Sequence, residues 1–152
     1  MLITSNQPKR IVTGIDLAIR SNSLSLESIS SLLGINPTSG FEKGEPYIGR
    51  EKRGSDIVAV DRVRPFSVWH FCTSESLHSN SIEDHVELLV DTLAPAKAAI
   101  DRMIVDKGFY VKLAIWVLGY TFDLSAACFR SLSSFAEDIS ITCWEGEEGE
   151  AN

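Results

Sequence analysis

The stretch "RIVTGIDLAIRSNSLSLESISSLLGINP" (residues 10–37) holds a strand, a cap and a helix in succession. Ile11, Thr13, Ile15, Leu17 and Ile19 alternate along 10–20 and would share one face of an extended segment. Ser25 suits a helix N-cap, with Leu24 and Ile29 placed as a hydrophobic staple. Ile29, Leu32 and Leu33 would form the buried stripe of a helix over 25–33. Gly34 accommodates the left-handed residue that ends such a helix, and Pro37 forbids a restart.

The same order recurs 100 residues later. "FYVKLAIWVLG" (109–119) alternates through Val111, Leu113, Ile115 and Val117, and Leu124 and Ser125 repeat Leu24 and Ser25 ahead of a second short helix over 124–136. Only five of 25 positions are identical between 11–35 and 111–135, too few to show a duplication but enough to expect two similar strand–helix–strand units. "DISITCW" (138–144) supplies the last strand.

Between the units, "FSVWHFCT" (66–73) reads as a central strand with Phe66, Val68, His70 and Cys72 on one side and Trp69 and Phe71 on the other. "DIVAV" (56–60) reads as a short edge strand, and the glycine-rich, charged span 35–55 as a long loop. Ser81 would cap "IEDHVELLVDTL", with Ile82, Val86, Leu89 and Leu93 inward; His85, next to Glu83 and Asp84, is expected in solvent. Pro95 either kinks this helix or opens a second that runs to Lys107. The expectation is one α+β domain over 1–144 and a disordered acidic tail over 145–152. Its architecture would be a two-layer sandwich, ferredoxin-like or a variant with an added edge strand, its mixed sheet of four to five strands covered by helices on one face.

The net charge of −7 is uneven: residues 1–55 carry seven Lys/Arg against five Asp/Glu, and 56–152 carry seven against sixteen. The basic footprint that phosphate backbones require is missing, so nucleic acid is not the expected partner. An acidic surface steers basic partners, although acidity alone also keeps a small protein soluble. No apolar run approaches the roughly 20 residues of a membrane helix, and the N-terminus has polar residues where a signal peptide is apolar. A soluble, cytoplasmic protein is expected, its three cysteines reduced, buried and inert.

Catalytic equipment is not recognisable. There is no G-x-S-x-G, and Gly40, Gly44 and Gly49 lack the G-K-[ST] ending of a P-loop and follow a helix rather than open one. His70 and Cys72 would point the same way on a strand, but with His78 and His85 they match no standard zinc spacing. No catalytic residue, metal site or cofactor is expected. The residues suited to meeting a partner are Glu83, Asp84, Glu87 and Asp91 on the acidic helix and Phe41 and Tyr47 in the long loop. Trp116 is a further candidate, on an open sheet face beside Trp69 or Phe71.

Leu32, Leu33, Gly34, Pro37 and Thr38, followed by Gly44-Glu45, resemble the opening signature of the bacterial family called domain of unknown function 4279. Trp69, "SIEDHVELLVDTLAP" and "LSAACFRSLSSFAEDISI" are similar to its later motifs, so the resemblance covers about residues 10 to 144. It implies a small α+β domain and brings no catalytic residues. A protein-binding role is the expectation: a cytosolic immunity protein that neutralises a basic toxin domain by occluding its active site. The alternative is a small-molecule-binding or regulatory domain using an open aromatic sheet face.

Overall fold

The computed structural model describes residues 11–119 and 122–144, with residues 11–13 and 144 described at the level of the backbone; Tyr120 and the acidic tail 145–152 lie outside the described residues. The strands are β1 (Ile11–Ser21), β2 (Ser39–Phe41), β3 (Pro46–Arg53), β4 (Asp56–Val63), β5 (Ser67–Cys72), β6 (Phe109–Leu118) and β7 (Asp138–Trp144). The α-helices are α1 (Leu26–Leu33), α2 (Ile82–Leu93), α3 (Lys97–Val105) and α4 (Ala126–Ser133). Pro95 sits in a 3₁₀ turn, Ala94–Ala96, and opens the second helix rather than kinking the first.

Five strands form one sheet in the order β2-β5-β1-β6-β7, and β3 and β4 form a two-stranded sheet. β1 is antiparallel to both β5 and β6, β2 is antiparallel to β5, and β7 is parallel to β6. β5 therefore lies between β1 and β2, and β1 between β5 and β6, as in two interlocked split β-α-β units. That is the ferredoxin-like arrangement, with β7 added beyond β6. The expected two-layer α+β sandwich is the observed one.

Pairing fixes the faces. Leu17 stands opposite Phe71 and Leu113, and Ile19 opposite Trp69 and Val111; all six are buried. Ile29 and Leu33 of α1, Leu89 and Leu93 of α2, Ile100 and Met103 of α3, and Leu132 of α4 close the core over that face. Trp69 and Phe71 thus belong to the helix-covered face and not, as expected, beside Trp116.

The 100-residue repeat is preserved at the caps. Ser25 Oγ accepts from Ser28 N–H and Ser125 Oγ from Cys128 N–H, both at 3.1 Å. It is not preserved in the stripes. α1 buries Ile29 and Leu33 and leaves Leu32 exposed, whereas α4 buries Leu132 and leaves Phe129 exposed. The hydroxyl of Ser81, at the N-cap position of α2, accepts no backbone N–H and instead donates to Glu83. The cysteines also depart from expectation: Cys72 and Cys128 are half-buried and Cys143 is exposed.

The span 35–55 is not a loop. It contains β2 and β3, and its charged second half is the outgoing strand of a hairpin. Gly54 (φ 65°) and Ser55 form the two-residue turn; with no positive φ at Ser55, this is a type II′ geometry. Phe41 faces Val68 and, five residues along each strand, Pro46 faces Val63, so the hairpin continues the β2–β5 register beyond the sheet. Gly40 allows the junction to pack: a Cβ there would sit 2.5 Å from the Val68 carbonyl oxygen and 3.0 Å from Leu26 Cδ1. Gly40→Ala is expected to cost about 1–3 kcal/mol through displaced backbone. Urea unfolding checks this as a lower midpoint at unchanged slope; a loss under about 0.5 kcal/mol would mean that β2 moves aside freely.

Candidate functional site

The interaction candidates fall on three separate surfaces. The first is the outer side of α2, where Ile82, Val86, Leu89 and Leu93 pack inward while Glu83, Asp84, Glu87 and Asp91 are exposed. Ser81 Oγ donates to Glu83 at 2.8 Å and Ser79 Oγ to Asp84 at 2.5 Å. Both acids stand in the first turn, where the helix dipole favours negative charge. Glu87 and Asp91 have no such compensation. They repeat the charge of Glu83 at i+4 spacing, Asp91 lies toward the C-terminal end, and α2 has no basic residue in its last turn. No described residue forms a salt bridge with any of the four.

The second surface is the base of the hairpin. The guanidinium of Arg64 lies 4.0 Å from the Phe41 ring centroid and 3.9 Å from that of Tyr47. Phe41 and Tyr47 are therefore half-buried clamps on an arginine, neither laid over the sheet nor free at the tip of a loop. Sequence reading missed Arg64 because its partners lie on other strands. On one side of the hairpin beyond this clamp, Pro46, Ile48, Arg50 and Lys52 of β3 and Ile57, Ala59, Asp61 and Val63 of β4 are all exposed. Ile48, Ile57 and Val63 are 72%, 70% and 61% accessible.

The third surface is the open face of the large sheet. Trp116 lies there, 40% accessible, opposite Gly14 and Thr142. Nearer the middle, His70 Nδ1 approaches the two Asp16 carboxylate oxygens at 3.1 and 3.2 Å. Tyr110 donates its hydroxyl to Asp138 at 2.5 Å, and this bond to a carboxylate, ahead of desolvation, holds the phenol above its ordinary value. The phenol thus stays protonated past its usual titration range. His70 and Cys72 do point to this same face, but His70 pairs with Asp16. Among the described residues no three His, Cys, Asp or Glu side chains gather as metal ligands. Depressions of about 550 and 470 Å³ flank α1 and share Glu27 and Ser31; neither touches the other candidates.

Trp116 and the α2 carboxylates lie on opposite sides of the sheet, so one flat partner surface does not reach both. The elements that separate them, from β1 to β7, are also the elements of the family signature. The family model called "Domain of unknown function (DUF4279)" matches residues 12–145. The chain belongs to this family. The DUF4279 match takes in all four described helices and every described strand, β1 from its second residue onward. No curated protein and no solved structure matches the chain. Among the described residues, no helix of this DUF4279 domain is long and apolar enough to cross a membrane.

Proposed function

We propose that this domain is a non-catalytic binding protein of the bacterial cytosol, an immunity protein that occupies the basic active-site cleft of a partner toxin. The observation that supports this reading is the acidic ridge of α2. Glu87 and Asp91 place like charge at i+4 spacing, and Asp91 in the last turn also opposes the helix dipole, at a cost of a few tenths of a kcal/mol each. Among the described residues they gain no cation in return. A partner with a basic cleft supplies that cation and is drawn in by long-range attraction before contact. The rigid support beneath the ridge, Val86, Leu89 and Leu93 packed against the sheet, presents the carboxylates as a fixed row.

The test is co-expression and kinetic binding with the product of the adjacent gene. A complex is expected whose association rate falls at least about tenfold between 0.1 and 1 M salt, as the screening length drops from about 10 to about 3 Å. The Glu87→Lys/Asp91→Lys variant, altered only at exposed positions, is expected to lose about tenfold in association rate at low salt and little at high salt. A complex indifferent to salt and to both substitutions would remove the ridge from the interface.

A further inference from the structure

The two strands of the hairpin treat their outer edges differently. At its base, Arg64 N–H donates to the Glu45 carbonyl and the Arg64 carbonyl accepts from Gly44 N–H, so the backbone of Arg64 faces the β3 side. Backbone direction alternates along an antiparallel strand. The N–H and C=O groups of Ile57, Ala59, Asp61 and Val63 therefore point away from β3, toward an edge that no strand among the described residues covers. Exposed edges are normally blunted by proline or by charge. The outer edge of β3 has both, with Pro46 lacking an N–H and Arg50 and Lys52 at alternate positions. The outer edge of β4 has neither over Ile57-Val58-Ala59-Val60, an uncharged run of high strand propensity.

We propose that β4 pairs antiparallel with β4 of a second copy of this chain, across a two-fold axis at Ala59. The product is a four-stranded sheet, β3-β4 continued by β4-β3 of the second copy. Charge complementarity selects this occupant and this register. With Ala59 opposite itself, the outward backbone groups of Ile57, Ala59 and Asp61 all find partners. On one face Val58 then meets Val60 of the second copy, and Asp56 meets Arg62 of the second copy, each contact occurring twice. A slip of two residues in one direction sets Asp56 against Val60, and in the other sets Arg62 against Val58, so either slip breaks the carboxylate–guanidinium pairs. The same operation on β3, with the axis at Arg50 opposite Ala59, would place Arg50 against Arg50, and the Pro46 end of that edge lacks an N–H to pair. Isologous pairing through one strand buries a small area, so the dimer is weak, with a dissociation constant on the order of micromolar.

Sedimentation velocity of the full chain over two decades of concentration tests this. The chain is expected to pass from one to two copies as concentration rises. Ala59→Pro removes an N–H that β3 does not use, so it should leave the hairpin paired and the chain monomeric. Asp56→Arg should weaken association at least tenfold, about 1.4 kcal/mol. Adding Arg62→Asp should return it to near the original value, and only a direct contact between these residues predicts that recovery. The Glu51 contact that this change also disturbs is exposed, at 3.5 Å, and its loss is small. Far-UV circular dichroism of each variant confirms folding. A chain monomeric at every concentration overturns the proposal. So does a dimer unaffected by Ala59→Pro, which would place the second copy elsewhere.

Discussion

Trp69→Ala is expected to lower the unfolding free energy by about 4 kcal/mol, a large fraction of the roughly 5–15 kcal/mol that holds a domain of this size folded. The indole is fully buried and is among the largest enclosed side chains of the protein. It sits where three elements meet: opposite Gly40 of β2, opposite Ile19 of β1, and beneath α1, whose Ser30 Oγ accepts its Nε1–H at 3.1 Å. Truncation removes the apolar contacts, opens a cavity between layers that cannot collapse together, and leaves Ser30 without that donor. Trp69→Phe separates the contributions, since it keeps most of the volume and loses the hydrogen bond, and should cost about 1–2 kcal/mol. Urea unfolding followed by circular dichroism measures both and avoids the changed fluorescence. A loss below about 2 kcal/mol for Trp69→Ala would show that the layers close without the indole.

Trp69 also shows how far the sequence could be read. That its strand is central followed from largely apolar residues on both faces, but such a strand does not reveal which face meets the helices. Only the register decides, by setting Trp69 against Ile19 and His70 against Ala18. The strand–helix units at both ends were legible because caps and alternation are local signals, and they pointed to a ferredoxin-like sandwich or a variant; the strand order itself was not legible and comes from the pairing. The hairpin was not legible. "PYIGREKR" alternates charge and glycine instead of apolar and polar residues, because neither side of a two-stranded ribbon is buried. A signal for it was present in Gly54-Ser55, a two-residue turn flanked by strand-length segments. The acidic ridge was legible from helical periodicity alone. The Phe41–Arg64–Tyr47 clamp was not, because it joins residues from three separate segments.

His85→Ala is expected to cost about 3 kcal/mol, although charge in the neighbouring residues makes the position look solvated. Its spacing from Ile82 and Leu89 puts it on the inner stripe of α2, and it is fully buried. Nε2 lies 2.8 Å from the carbonyl oxygen of Ser79, which only accepts, so Nε2 carries the proton. Nδ1 lies 2.8 Å from Thr73 Oγ1, and that hydroxyl already accepts the N–H of Ile15 at 2.9 Å. The consistent assignment is a neutral ring that donates to Ser79 and receives the proton of Thr73. One imidazole thus joins β1, the turn after β5 and the approach to α2, with every buried polar atom of the set paired. Alanine leaves the Thr73 hydroxyl and the Ser79 carbonyl without their partner inside the fold, where each unpaired group costs about 1–3 kcal/mol. It also leaves a cavity at the first turn of α2. Glu87→Ala, two residues on but facing solvent, should stay within about 0.5 kcal/mol of the parent. Hydrogen exchange locates the effect: the Ile15 amide, held by Thr73 rather than by a strand neighbour, should exchange at least tenfold faster in His85→Ala and unchanged in Glu87→Ala. An Ile15 amide equally protected in both variants would show that Thr73 keeps its place without the histidine.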